Sequence, residues 1–344
     1  HRQRWTPARR PLDPVMILLR LAALALAVAT AWSAEDVRIA LLCTGSTTDG
    51  GWNQLAKEGA EAAAAKIGAK LTILQKVPQD RASSEIFDFV AEDYRLVIAH
   101  GYEYLEPAAK VAAEIGEGAV TRIAVCGADV ARPGIVTIDF DVSHASYQAG
   151  IVAARVSKSG KLGFIGGAPI PSVKACYRGF LAGARSINPD INVAETYTSW
   201  DQPQQNKAQT EALLQVGVDV VYHDVDAASL GVFEAIRAAN QAKPGSAWVV
   251  GCVADQNANP ICPEWILGSA VIRLDDTFAV LAASVMDGSF TPGAVVRENI
   301  ARKTCVFIPN PTLVGTVITP GIQAELATAE TGLIAGDIVI PGEP

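Results

Sequence analysis

From residue 37 the chain alternates short apolar runs with longer stretches whose apolar positions recur at helical spacing. The runs predict strands at 37–43, 71–75, 96–100, 123–127 and 135–140, with helices over 52–67, 83–91 and 105–115 between them. The pattern then restarts, with strands at 162–166, 193–197, 218–223, 247–252 and 269–272. Helices over 172–187, 203–216, 229–242 and 276–287 separate this second set. Strand–helix–strand repetition builds parallel sheets with helices on both faces. The strand runs show little alternation, as expected where both faces of a sheet are covered. The expected architecture is therefore α/β, with two doubly wound, Rossmann-like lobes joined by a hinge. Lobe 1 is expected over 37–140 plus 274–298 and lobe 2 over 141–273 plus 299–344, with hinge segments near 139–143, 273–275 and 295–299. Ligands of such sheets sit at the carboxyl ends of the strands, which marks the residues just after each run.

Length agrees, since 344 residues exceed one ordinary core. Half of the residues are hydrophobic, which excludes disorder. The net charge is −8 and no basic cluster follows the first ten residues, so nucleic acid is not an expected partner. Met16 opens an apolar stretch that carries Arg20 and ends in small residues, the anatomy of a secretory signal. The apolar run from 21 to 34 falls short of the roughly 20 residues that span a bilayer. A leader and signal peptide over 1–34 and a periplasmic location are expected, with the arginine-bearing residues before Met16 read as an upstream extension. No cysteine closes the run, so no lipid anchor is expected. Loss of the leader leaves a net charge of about −12, suited to a soluble exported protein.

The cysteines are Cys43, Cys126, Cys176, Cys252, Cys262 and Cys305. None stands in a CxxC or Cys/His cluster, so spacing supports no metal site. In an oxidising compartment Cys252 and Cys262 are the pair closest in sequence, while Cys43 and Cys126 read as small buried hydrophobes.

Polar and aromatic side chains gather at the expected strand ends. After the first comes Thr44-Gly45-Ser46-Thr47-Thr48-Asp49-Gly50-Gly51-Trp52-Asn53-Gln54, a glycine-rich turn into a helix. It lacks a nucleotide-binding fingerprint, and Asp49 would repel a phosphate. A tryptophan beside two glycines at a helix start is either a pocket wall or part of that helix's own packing. Gly101 and Tyr102 follow the third run; Ile170, Trp200, Asp224, Asp226 and Asp255 stand at strand ends of the second set. No catalytic residue is expected. A Gly-x-Ser-x-Gly elbow is absent, and His100 and His223 suit a ligand contact and a buried structural role equally well. Asp224 and Asp226 can accept N–H donors from a heterocycle without catalysing anything.

Several of these segments carry a resemblance. Asp49-Gly50-Gly51-Trp52-Asn53-Gln54-Leu55-Ala56-Lys57-Glu58-Gly59 is similar to the opening motif of the basic-membrane-protein family of solute receptors. Gly160-Lys161-Leu162-Gly163-Phe164-Ile165-Gly166-Gly167, Gly179-Phe180-Leu181-Ala182-Gly183-Ala184 and Gln148-Ala149-Gly150-Ile151 fit the same family, in order. The resemblance runs from about 37 to the C-terminus and implies a type I periplasmic binding protein, the solute-binding component of an ABC importer. Many such receptors bind purine nucleosides, with the aromatic of the opening motif stacked on the base and the adjacent Asn and Asp in polar contact. Those roles would fall to Trp52, Asn53 and Asp49. Two departures matter: Val253 stands where the family usually has Asp, and Ile272 where it usually has Lys. Both are associated with gripping ribose hydroxyls, and each lost hydrogen bond is worth about 1 kcal/mol or more.

The expected function is thus capture of a small flat heterocycle, a purine nucleobase first, for uptake through a membrane ABC permease. Trp200, Tyr102 and Tyr177 are candidates for a second stacking face. The expected ligand set is Ser46, Asp49, Trp52, Asn53, Gly101, Tyr102, Ile170, Trp200, Asp224, Asp226 and Asp255, in a monomer without metal or cofactor. The alternatives are a periplasmic ligand sensor of the same fold and a nucleoside-binding importer component.

Overall fold

The central parallel strands bury nearly all of their side chains, so the apolar runs become the centres of two sheets. The computed structural model describes residues 37–342; the leader expected over 1–34 lies outside the described residues. The first sheet has the order β11-β5-β4-β3-β1-β2. Its strands are β1 (Arg38–Cys43), β2 (Lys70–Leu74), β3 (Leu96–His100), β4 (Arg122–Cys126), β5 (Ile135–Phe140) and β11 (Val295–Glu298), all paired in parallel. The second sheet has the order β12-β10-β9-β8-β6-β7. It comprises β6 (Lys161–Gly166), β7 (Asn192–Tyr197), β8 (Val220–Asp224), β9 (Trp248–Val253), β10 (Ile266–Ile272) and β12 (Cys305–Pro309). Only β12 runs antiparallel, against β10.

The helices are amphipathic covers for these sheets. In the first half α1 (Trp52–Ile67) turns a row of alanines, Ala56, Ala60, Ala63 and Ala64, into the core and packs against α8 (Leu274–Asp287). In the second half α4 (Ser143–Val156) and α5 (Pro171–Ile187) lie in close contact. A Cβ added at Gly183 would stand 1.9 Å from the Tyr147 carbonyl oxygen, and one at Gly150 2.2 Å from that of Phe180. Glycine is what lets these backbones approach. A single apolar cluster, from Ile39 and Cys43 through Phe140 to Phe164 and Phe180, runs through both halves.

The chain passes between the sheets three times. After β5 it enters α4; β10 leads into α8; β11 is followed by a return to β12. The segment 295–298, expected to be hinge, is an edge strand of the first sheet, and the crossing follows it. The three crossings are tied together: Asp141 N–H donates to the Glu298 carbonyl at 2.8 Å and Arg273 N–H to that of Thr304 at 2.7 Å. The buried Glu298 carboxylate accepts from Arg302 Nε at 2.8 Å and Thr304 Oγ1 at 2.9 Å.

All six cysteines are buried and unpaired. Cys252 and Cys262 do not form the sequence-neighbour pair: they belong to different apolar clusters. Among the described residues no helix is long and apolar enough to cross a membrane.

Candidate functional site

The turn after β1 is built around one carboxylate. Asp49 Oδ1 accepts the backbone N–H groups of Gly51 and Gln54, each at 3.0 Å. Its Oδ2 accepts Asn53 N–H at 3.1 Å and Asn53 Nδ2 at 2.7 Å. These N–H groups are the free donors of the first turn of α1, so Asp49 serves as that helix's anionic cap. Asn53 is buried, and its Oδ1 accepts from Gly45 N–H at 3.1 Å and Thr44 Oγ1 at 3.3 Å. Both side chains, expected to touch a solute, hydrogen-bond to the loop that presents Trp52, and Asp49 also lines the groove described below. Ser46 Oγ and Thr48 Oγ1 share a hydrogen bond of 3.0 Å at the loop's exposed edge.

Trp52 is half-buried and points back into its own half. Its indole stacks on the His100 imidazole, centroids 3.8 Å apart and planes 25° apart, and meets Phe140 edge-on at 5.8 Å. His100 Nε2 lies 3.0 Å from the Trp52 carbonyl oxygen. A carbonyl only accepts, so Nε2 carries the proton. Burial lowers His100 to about 3, which keeps the ring neutral against the indole. His100 was legible only as a strand-end residue; its role as the backing of Trp52 needed the register that sets Cys43 beside His100 on adjacent strands.

The second half meets this structure through Asp226. Its Oδ1 accepts the main-chain N–H of Trp52 at 3.0 Å, joining residues 174 positions apart. A Cβ at Gly51 would lie 2.4 Å from that same oxygen, so glycine is required for the approach. Burial and the nearby Asp49 carboxylate push Asp226 up to about 8. Asp226 and Val253 both hold left-handed backbone, φ 39° and 69°, at the carboxyl ends of β8 and β9. For β-branched Val253 this is a strained conformation, and such strain collects at functional sites. Val253 is buried opposite Val271, and Ile272 is buried too.

The other expected residues surround the seam. Trp200 lies over Gly167, where a Cβ would stand 2.2 Å from its ring, and its carbonyl accepts Ala228 N–H at 3.0 Å. It thereby braces the turn that carries Asp226. Gly101 is buried at the start of the short helical turn Tyr102–Tyr104; Tyr102 itself and Ile170 are exposed. Tyr177 is tilted against Phe164, centroids 5.7 Å apart. Asp255 is exposed and accepts Asn257 N–H at 3.0 Å. A groove of 590 Å³ opens between the halves, lined by Asp49, Gly51, Gln54 and Glu58 on one side and Ala227, Ser229, Asp255 and Gln256 on the other. The Trp52 ring is not among its walls, because His100 and Phe140 hold it inward.

Asp224, at the end of β8, is buried and belongs to a group that sequence spacing does not reveal. One of its carboxylate oxygens and the sulfurs of Cys176 and Cys252 lie within 4.8 Å of one another, all buried. Burial pushes Asp224 up to about 6, opposed by hydrogen bonds from both thiols. Burial likewise raises the Cys252 thiol, which stays protonated.

Two sheets, parallel but for β12, with three crossings and strand ends facing a shared seam, define the fold of periplasmic binding proteins of ABC systems. An ABC transporter solute-binding protein structure from Aeropyrum pernix K1 superposes with a TM-score of 0.78 at 21% identity, covering 89% of this chain and 94% of that one. Residues 36–318 match the Bmp family, described as ABC transporter substrate-binding protein PnrA-like, and the chain belongs to that family. It is 27% identical over 223 residues to the ABC transporter nucleoside-binding protein BmpA of Lactococcus lactis subsp. cremoris, 62% of each chain. It is 26% identical over 198 residues to a purine-binding protein of Brucella abortus, 56% of this chain and 55% of that one. The family and the structural neighbour are solute-binding proteins, not enzymes.

Proposed function

We propose that this protein is the receptor of an ABC importer and closes two lobes, 37–140 with 274–298 and 141–273 with 299–344, over a flat heterocycle. The first candidate is a purine nucleobase. The observation that carries the reading is the double engagement of Trp52: its ring is backed by His100 in one half, and its N–H is bonded to Asp226 of the other. A backed indole keeps one orientation; its ring is turned from the groove, so stacking requires the solute to reach the remaining face as the halves close on it. Such a stack contributes about 0.5–1.5 kcal/mol beyond area burial. Asp226, raised to about 8 and so protonated at neutral pH, stands beside it with a hydroxyl to donate to a ring nitrogen or carbonyl of a base edge.

A solute touching Trp52 and the Asp226 turn at once binds the closed arrangement better than the open one, which is the differential affinity that closure needs. The closed periplasmic form would then deliver its solute, as a monomer, to the membrane permease. Val253 and Ile272 offer no hydrogen bond to a sugar, which favours a base over a nucleoside. The Lactococcus relative's description as nucleoside-binding supports the second reading, a nucleoside receptor.

Thermal-shift measurements with nucleobases, nucleosides, flavins and sugars separate the two. A ligand at 100 times its dissociation constant adds about 2.7 kcal/mol of stability. Purine bases are expected to rank first. Nucleosides ranking clearly above bases would transfer the proposal to the second reading, and stabilisation by sugars alone would end both.

A further inference from the structure

Beneath the seam lies a cluster with chemistry of its own. Cys176 comes from α5, Asp224 from the end of β8 and Cys252 from β9. Each is nearly inaccessible, at 2%, 6% and 3% exposure, and their donor atoms fall within 4.8 Å of one another. The Tyr222 hydroxyl is 3.2 Å from the Cys252 sulfur and 2.8 Å from Ser146 Oγ, with Tyr222 wholly buried. We propose that Cys176, Asp224 and Cys252 bind one zinc ion.

Tetrahedral zinc, with bonds of about 2.3 Å to sulfur and about 2.0 Å to oxygen, sets its donors roughly 3.5–3.8 Å apart. The present donors, within 4.8 Å of one another, need to close by about 1 Å or less to reach that spacing. Two thiols and a carboxylate suit zinc and not the hard, oxygen-seeking magnesium or calcium. Charge accounting agrees. Loading takes in Zn²⁺, releases one proton from each thiol to solvent, and leaves two thiolates and a carboxylate around the ion. The buried net charge is one negative unit before and after, so no uncompensated charge enters the interior. Monovalent copper on the same exchange would leave one more negative charge.

Tyr222, anchored by Ser146, is placed to donate to the Cys252 sulfur and hold its orientation, as outer groups do around metal ligands. A Cys176–Cys252 disulfide is the competing outcome. It would draw the sulfurs to about 2.05 Å and strip the buried Asp224 carboxylate of both thiol donors, which zinc does not. The site stands apart from the identity of the solute.

The test uses the purified protein, reduced and freed of metal, titrated with Co²⁺ and then Zn²⁺. One equivalent of Co²⁺ is expected to give sulfur-to-cobalt charge-transfer bands, bleached by one equivalent of Zn²⁺. Cys176→Ser and Cys252→Ser are expected to weaken zinc binding by about 100-fold or more. Cys262→Ala, in a separate core cluster, is expected to leave it unchanged. Absence of the cobalt bands in the unmutated protein overturns the proposal, whether or not the variants fold. So does a Cys176–Cys252 cross-linked peptide as the main species in unreduced, freshly isolated protein, and so does zinc affinity indifferent to Cys176→Ser.

Discussion

A tryptophan after two glycines was the most conspicuous residue in the sequence, and the structure explains its setting through neighbours the sequence could not rank. Asp49 and Asn53 were expected beside Trp52 as solute contacts; in the structure their hydrogen bonds build the cap and loop that aim it. Local spacing made that group legible. The contact with Asp226 was not, because 174 residues of chain separate the partners. Trp52→Ala is expected to weaken the preferred solute about tenfold or more, through lost stacking and lost area, while Trp52→Phe keeps most of the affinity. Isothermal titration decides this; an unchanged constant for Trp52→Ala removes the stacking role.

Asp226 makes the seam pH-dependent. Burial and the nearby Asp49 carboxylate raise its carboxyl from the ordinary 3.8 to about 8. The folded protein therefore holds this proton more tightly than the unfolded chain. The stabilisation is complete below about pH 4 and is lost as pH climbs through about 8. Asp226→Asn keeps an oxygen for the Trp52 N–H but cannot ionise. Between about pH 6 and pH 9 the melting temperature of the unmutated protein should fall more than that of the variant; parallel curves would remove Asp226 as the cause.

At the scale of elements, the apolar runs located most buried strands to within two residues, and the one expected over 269–272 starts three residues earlier, at Ile266. β1, expected over 37–43, is Arg38–Cys43, and β5 matches 135–140. What went unassigned lies at the margins. β12 is an antiparallel edge strand that ends in Pro309 and is only partly covered. The helix α9 (Pro320–Ala335) carries small and apolar residues on all sides, so no stripe announces it. Pairing between elements is also invisible in one sequence. The contact of α4 and α5 depends on glycines whose meaning emerges only when the backbones are seen to touch. Gly183→Ala is expected to destabilise the fold by about 1–3 kcal/mol, because the added methyl meets the Tyr147 carbonyl and a helix must shift. Chemical denaturation measures this; a neutral result would mean the helices separate at no cost.

For the whole molecule, two doubly wound sheets were readable from repetition, whereas the way they face each other was not. The seam comes from the three crossings held by Asp141, Arg273 and Glu298, groups brought together from distant stretches of chain. If those crossings act as the hinge, small-angle scattering should give a larger radius of gyration without solute than with it. An identical radius in both states argues for a fixed cleft.

The crossings also constrain how the polypeptide acquires its shape. The first sheet does not complete itself from the first part of the chain: its edge strand β11 and the helix α8 that covers α1 arrive only at 274–298. All of β6 to β10 emerges before them. A ribosome delivers residues in order, so the earlier half waits, incomplete along one edge and one face, while the later half is made. Neither half is a continuous piece that a truncation could isolate. Until nearly all of the chain is available, the first sheet keeps one open edge and α1 one uncovered face.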